Sequence, residues 1–158
     1  MTYTRWLALG GFIAATLATG AVGGLATASS VGSWYSTIVK PSWNPPSWVF
    51  GPVWTTLYVL MAVAAWRVWG HREHPGRRVA LAWFWGQLVL NGLWSFLFFG
   101  LRRPDLALVE IVVLLACLVE TLRRFAPIDR WAALLWLPYL AWVSFATVLN
   151  GTLWWLNR

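Results

Sequence analysis

The polar side chains able to do chemistry in this 158-residue chain are few, and most sit at helical spacing inside apolar runs. Gln87, Asn91 and Ser95 recur every four residues and so share one helix face. Ser144, Thr147 and Asn150 follow at three-residue spacing, with Gly151 after the last, and Trp54 and Tyr58 share a third face beside Thr55. Two chemistries suit such sets. Ser, Thr, Asn and Gln can hold membrane helices together by interhelical hydrogen bonds. Interleaved with indole and phenol rings, they can also dot the wall of an aromatic cavity. The first reading suits the Ser and Thr residues, whereas pattern alone leaves both open for Asn91 and Trp54.

Charged and nucleophilic groups offer less. Glu120 precedes Arg123 and Arg124 by three and four positions, the spacing of a helix-end ion pair. Glu110 lies about one turn inside its apolar run, where Arg102 or Arg103 is expected to reach it as a structural partner. A lone carboxylate with no second acid makes no proton relay. His71 and His74 flank Glu73 in a loop of Arg, Pro and Gly, which reads as solvated loop residues rather than a metal site. No histidine falls within an apolar run, so a haem-like ligand has no evident axial donor. No catalytic constellation, metal site or required cofactor is expected, and binding is favoured over catalysis.

Composition says what must position these groups. The chain is 59% hydrophobic and 17% aromatic against 11% charged, with 15 tryptophans and a mean hydropathy of +0.62. That places it among integral membrane proteins. The net charge of +7 comes from 12 Lys and Arg against 5 Asp and Glu. These cations sit in short turns between apolar runs, which reads as topology control rather than nucleic-acid binding. The one cysteine, Cys117, excludes an internal disulfide.

Five apolar runs, at about 6–28, 49–69, 79–99, 106–125 and 131–155, predict an all-α, five-transmembrane-helix bundle as a single domain over 1–158. Each is long enough to cross about 30 Å of hydrocarbon. Pro41, Pro45 and Pro46, then 71–76, 102–105 and 127–130, punctuate them. Three of the four connections are short, so consecutive helices are expected to be antiparallel neighbours. The first run, with Arg5 before it and Ala26-Thr27-Ala28 at its end, has the parts of a signal peptide. Its length, and a Gly20-xxx-Gly24 face suited to close packing, favour a retained helix. Trp6, Trp66, Trp69, Trp131, Trp154 and Trp155 sit at run ends, as interfacial anchors do. Eight basic residues fall on the side of the N-terminus and four on the other, which puts the N-terminus in the cytoplasm if the host is a plasma membrane. An outer-membrane setting would void that inference.

The loop at about 29–48 carries Lys40-Pro41-Ser42-Trp43-Asn44-Pro45-Pro46-Ser47-Trp48-Val49-Phe50, whose prolines fix an extended entry to the next helix. Upstream, Trp34-Tyr35 is placed to fold over the bundle mouth. This stretch, with Val53-Trp54-Thr55-Thr56-Leu57-Tyr58, resembles the signature of the TspO/MBR family of tryptophan-rich sensory proteins and translocator proteins. The likeness continues through 87–95 with Phe98-Phe99-Gly100, and closes with 138–150. The resemblance implies a five-helix bundle, a homodimer in the lipid bilayer, and a ligand pocket capped by the first loop. It implies porphyrins such as protoporphyrin IX, sterols in eukaryotic members, and synthetic drug-like compounds as ligands. Carried over by residue, the pocket is expected to include Trp34, Tyr35, Pro45, Trp54, Asn91, Trp142, Ala146 and Leu149. Lys40, Arg102 and Arg103 are then the expected partners for porphyrin propionates. Gly151 stands where sterol-binding members carry a tyrosine, which argues against sterol recognition by that route. Three functions remain: a tetrapyrrole receptor or carrier with a stress- or light-linked regulatory role; an enzyme of light-dependent porphyrin breakdown using Trp54 and Trp142 as redox partners; and a structural or lipid-sensing scaffold.

Overall fold

The computed structural model describes residues 2–158. In chain order these form α1 (Thr2–Val31), a single-turn helix α2 (Trp34–Thr37), α3 (Ser47–Gly70), α4 (Arg77–Ser95), a π-helical segment (Phe96–Gly100), α5 (Pro104–Phe125) and α6 (Arg130–Leu156). No strand occurs among the described residues. The all-helical expectation holds; four long helices match their apolar runs with a few residues added at the ends, while the third run is shared between α4 and the π-helical segment.

Four spans, Tyr3–Val31, Ser47–Gly70, Arg77–Gly100 and Arg130–Leu156, are long and apolar enough to cross a membrane. Helix α5 has 22 residues, about 33 Å at 1.5 Å per residue. It carries Glu110 and Glu120 along that length, so apolar composition does not assign it as a span. Its ends are chemically sensible: Pro104 and Asp105 occupy the first turn and Arg123 and Arg124 the last, complementing the helix dipole.

The long helices close into a ring in the order α1, α3, α6, α5, α4 and back to α1. Sequence adjacency fails at one point. Helices α3 and α4 share a short connection but touch only lightly, because α1 lies between them in the ring and α3 packs on α1 and α6 instead.

The end away from the first loop is solid. Met61, Ala62, Ala64, Ala65 and Val68 of α3 meet Ala80 and Phe84 of α4, Phe125 of α5 and Trp136 of α6, all fully buried. Three alanines in five residues let the helix backbones approach, and large rings opposite fill the space. Asp129 closes this end. Its carboxylate accepts from the backbone N–H groups of Trp131 and Ala132, capping α6, and from Arg67 Nε at 3.1 Å. It also lies 3.0 Å from His71 Nε2. His71, an exposed loop residue as expected, is thus also a partner in an interhelical lock. The helix-end pair expected of Glu120 is present, with Arg124 Nε at 2.6 Å and Arg123 Nη1 at 3.8 Å.

The tryptophans at helix ends behave as amphipathic anchors. Trp6, Trp131 and Trp155 are exposed. Arginines lie over several end indoles: Arg5 over Trp66, Arg72 over Trp69, Arg130 over Trp131 and Arg158 over Trp155. Each pair sets a guanidinium against an indole face, a favourable cation–π contact.

Burial alone would raise the Asp129 carboxyl, but Arg67, the Ala132 N–H and His71 outweigh it and hold the group down at about 2, against 3.8 ordinarily. The ionised form therefore favours the fold above pH 4, and that contribution is lost as the pH falls from about 4 to about 2. Asp129→Asn, which keeps the cap acceptor and loses the charge, should cost about 1–3 kcal/mol at neutral pH, below the usual cost of breaking a buried pair because Arg67 is partly solvated. The gap in melting temperature between native protein and variant should close across that acid window. A constant gap down to pH 2 would contradict the assignment.

Candidate functional site

Four buried polar side chains span the middle of the bundle. Tyr58 OH of α3 donates to Asn91 Oδ1 of α4 at 2.6 Å. Asn91 Nδ2 donates to Tyr139 OH of α6 at 2.8 Å. Tyr139 OH donates to Gln87 Oε1 at 2.9 Å. In hydrocarbon each of these groups needs a partner, so the chain ties three helices together at one level.

On the loop side of this chain the bundle opens into a cavity of about 550 Å³, within the range of small-molecule sites. The rings of Tyr35, Trp54, Trp94, Phe98, Trp142 and Phe145 face it. Trp54 stacks on Tyr58 with ring centroids 5.5 Å apart. Trp142 is packed by Phe50 at 6.0 Å and Phe145 at 5.6 Å. No charged side chain lines the space. Trp94 spends its indole N–H on Asn150 Oδ1 at 3.0 Å, while Asn150 Nδ2 donates to the Pro104 carbonyl at 2.8 Å. Among the described residues the bonded indole N–H groups are those of Trp66, Trp94 and Trp136. Those of Trp54 and Trp142, residues of the cavity wall, have no protein partner among the described residues.

The first loop forms the roof. Burial pushes the Tyr35 hydroxyl above its ordinary range, opposed by its bond to Asn44; the hydroxyl donates to Asn44 Oδ1 at 3.0 Å. The Tyr35 ring rests edge-on against Phe98 and Phe99 of the π-helical segment. Trp43 packs edge-on against Phe145 at 5.9 Å. Asn157 grips the loop by two bonds to Val39, one at 2.8 Å from its N–H and one at 2.9 Å to its carbonyl. Lys40 Nζ lies 4.8 Å from the centre of the Tyr35 ring and donates to the Ile38 carbonyl.

Of the eight residues expected in a pocket, Tyr35, Trp54, Trp142, Ala146 and Leu149 face this cavity. The other three stand elsewhere. Trp34 packs against Phe98 within the roof. Pro45 offers its carbonyl to the Asn44 side chain. Asn91 is buried in the polar chain beneath, with both ends of its amide engaged. None of the three expected cations lines the cavity. Lys40 stands above Tyr35, Arg103 is held by Asp105 at 2.6 Å, and Arg102 sits in left-handed backbone with φ 55°.

Other expectations are corrected by geometry. Ser144, Thr147 and Thr55 donate to carbonyls four residues back on their own helices, not across to neighbours. Glu110 is buried with neither oxygen hydrogen-bonded, and Gln87 Nε2 is likewise unpaired; of the two arginines expected at Glu110, Arg103 is engaged with Asp105 and Arg102 does not reach it. Gly20 and Gly24 do not form one packing face. A Cβ on Gly20 would enter the Tyr58 ring, whereas one on Gly24 would meet nothing within 4 Å. At Gly151 a Cβ would reach only Leu108 Cδ1 at 3.7 Å, an ordinary contact, so close packing does not demand that glycine.

Sequence reasoning missed the α1 wall, the Asn157 grip and the share of Tyr139 in the polar chain. The signal for the wall was present: Leu17, Ala21, Gly24 and Ala28 recur at spacings of four, three and four. Gly20→Ala should lower the melting temperature by displacing Tyr58 from Asn91, leaving a buried acceptor unpaired at a cost of about 1–3 kcal/mol. Gly24→Ala should leave it unchanged or raise it, since alanine favours helix by about 1 kcal/mol over glycine. Equal melting temperatures for the two variants would contradict the contact.

The TspO/MBR family model matches residues 12–156. The tryptophan-rich protein TspO of Chlorobaculum tepidum is 44% identical over 142 residues, covering 89% of this chain and 90% of that protein. The tryptophan-rich sensory protein of Cereibacter sphaeroides is 44% identical over 117 residues, covering 74% and 72%. The human translocator protein is 41% identical over 125 residues, covering 77% and 73%. The extent of the match, together with the apolar helices, establishes that this chain is a multi-pass integral membrane protein belonging to the TspO/MBR family.

Proposed function

We propose that this protein is a membrane receptor or carrier for a flat, ring-bearing hydrophobic ligand of the tetrapyrrole type, with protoporphyrin IX as the model compound. The observation that carries this reading is the cavity itself: aromatic walls around about 550 Å³ with no charged side chain facing in. Indole and phenol rings at Trp54, Trp142 and Tyr35 offer faces and edges to a macrocycle. The unbonded indole N–H groups of Trp54 and Trp142 suit ring substituents that accept hydrogen bonds. Anionic propionates do not suit the interior; Lys40, at the rim over Tyr35, is the cation placed to meet them. Arg102 is the second choice, since Asp105 already engages Arg103.

Several further features belong to this reading. Helix α5 crosses the bilayer as a fifth span, its Glu110 sheltered inside the bundle. The N-terminus faces the cytoplasm in a plasma-membrane setting, following the bias of basic residues. The protein works as a homodimer, and a regulatory role is in keeping with relatives called sensory proteins. Carriage is in keeping with those called translocator proteins. Sterol is not the ligand by the route that needs a tyrosine at Gly151.

One observation favours a second reading, light-dependent porphyrin breakdown: Trp54 stacks on Tyr58, so an oxidised indole would have a phenol beside it. Product formation from bound porphyrin under illumination, lost in Trp54→Phe, separates this from binding alone.

Titrating protoporphyrin IX against tryptophan fluorescence tests the main proposal. Trp54→Ala or Trp142→Ala should weaken binding by about 1–3 kcal/mol, the scale of a lost aromatic contact, while Trp6→Ala, at the far end, leaves affinity unchanged. Equal affinities in all three variants, or no saturable quenching in the native protein, would overturn it.

A further inference from the structure

The walls of the cavity are not equally closed. Seven of its lining residues are exposed: Leu17, Ala21, Gly24 and Ala28 of α1, and Ser47, Gly51 and Thr55 of α3. All seven lie on those two helices. The lining residues from the roof, α4, the π-helical segment and α6 are buried or half-buried. Their spacing, four, three and four along α1 and four and four along α3, draws two facing stripes along one seam.

The seam is also unfastened. Every specific link between α1 and α3 lies at or below the polar chain. Trp6 stacks on Trp66 at 6.0 Å, Trp66 Nε1 donates to the Arg5 carbonyl at 2.8 Å, and Gly20 meets Tyr58. Beyond Gly20 no hydrogen bond or ring contact joins the two helices among the described residues. There α1 leans the other way, with Gly23 against Ser95 and Ser30 Oγ donating to the Phe99 carbonyl at 2.6 Å. A Cβ added at Gly24 or Gly51 would meet nothing within 4 Å. The roof, by contrast, is held by Asn157, Asn44 and the rings around Tyr35.

Depth follows from the helix rise. With Trp6 at the far interface, Ala21 stands about 22 Å and Ala28 about 33 Å further along α1, so the seam occupies the loop-side half of a hydrocarbon layer about 30 Å thick. No seam residue is charged. A molecule passing there must shed water and charge before it arrives.

From this we infer that the cavity exchanges ligand sideways with the bilayer, through a portal between α1 and α3, and that its ligands are delivered as uncharged, lipid-dissolved molecules rather than captured from water through the roof. The inference rests on the proposed ligand-binding role of the cavity. Free carboxylates arrive by this route only in their neutral form, and their charges settle at the Lys40 rim after entry.

The test uses the full chain in lipid vesicles, with protoporphyrin IX dimethyl ester as the uncharged probe and stopped-flow tryptophan quenching as the readout. Gly24→Leu and Gly51→Leu place side chains in the seam from opposite sides, in space the structure leaves open. Asn157→Ala releases the roof without touching the cavity. In each seam variant the association and dissociation rates should fall together by about tenfold or more, a change in access rather than in contacts. Asn157→Ala should exchange at the native rates. Native rates in both seam variants, or faster exchange in Asn157→Ala with the seam variants unaffected, would overturn the portal while leaving the binding role standing. Absence of saturable quenching in the native protein would overturn both.

Discussion

The hydrogen-bonded chain from Tyr58 through Asn91 and Tyr139 to Gln87 is the constraint on which the rest of the bundle depends. Apolar side chains gain little by moving from lipid to a helix interface, so packing and buried polar contacts must set the arrangement. The chain fixes α3, α4 and α6 at one level and marks a change of regime. On one side small and large residues alternate until no space is left, around Ala62, Ala65, Phe84 and Trp136. On the other the helices are held apart by rings that pack on each other without filling the centre. The floor of the cavity is therefore the same structure that lets a cavity exist.

The two ends of the bundle solve opposite problems with similar means. At the closed end Asp129 gathers Arg67, His71 and two backbone N–H groups into one lock. At the open end Asn157 and Tyr35 bind the first loop down with neutral bonds. Each of these roof bonds is worth about 1 kcal/mol net, and the buried Tyr35 ring adds its packing against Phe98 and Phe99. Helix α1 adds a third kind of boundary, touching α3 closely at Gly20 and standing clear of it beyond.

Much of this was legible in the residues. Apolar runs and turn punctuation placed every long helix, and the four-residue recurrence of Gln87, Asn91 and Ser95 located a polar face turned into the bundle. The motif resemblance carried five pocket residues, Tyr35, Trp54, Trp142, Ala146 and Leu149, onto one cavity. What was hidden is what depends on which neighbour a helix meets. Helical periodicity names a face without saying what it faces, so pattern left Asn91 open and the resemblance placed it in the pocket, whereas it lies beneath, held by two tyrosines from other helices. Ser144 and Thr147 looked like interhelical glue and instead bond to their own helix, an option open to any hydroxyl in a helix. Neither arginine expected at Glu110 reaches it: Asp105 holds Arg103, and both Glu110 oxygens stay unpaired. The π-helical turn left no mark that spacing alone could decode.

The central claim is that the space roofed by the first loop and floored by the Tyr58–Asn91–Tyr139 chain is where a flat aromatic ligand resides. A structure of the protein determined with protoporphyrin IX bound tests this most directly. The account predicts the macrocycle inside the ring of helices between Trp54 and Trp142, with its propionates toward Lys40. A macrocycle resting on the outer groove between α1 and α4, near Thr19, Trp85 and Val89, with the inner cavity empty, would contradict it.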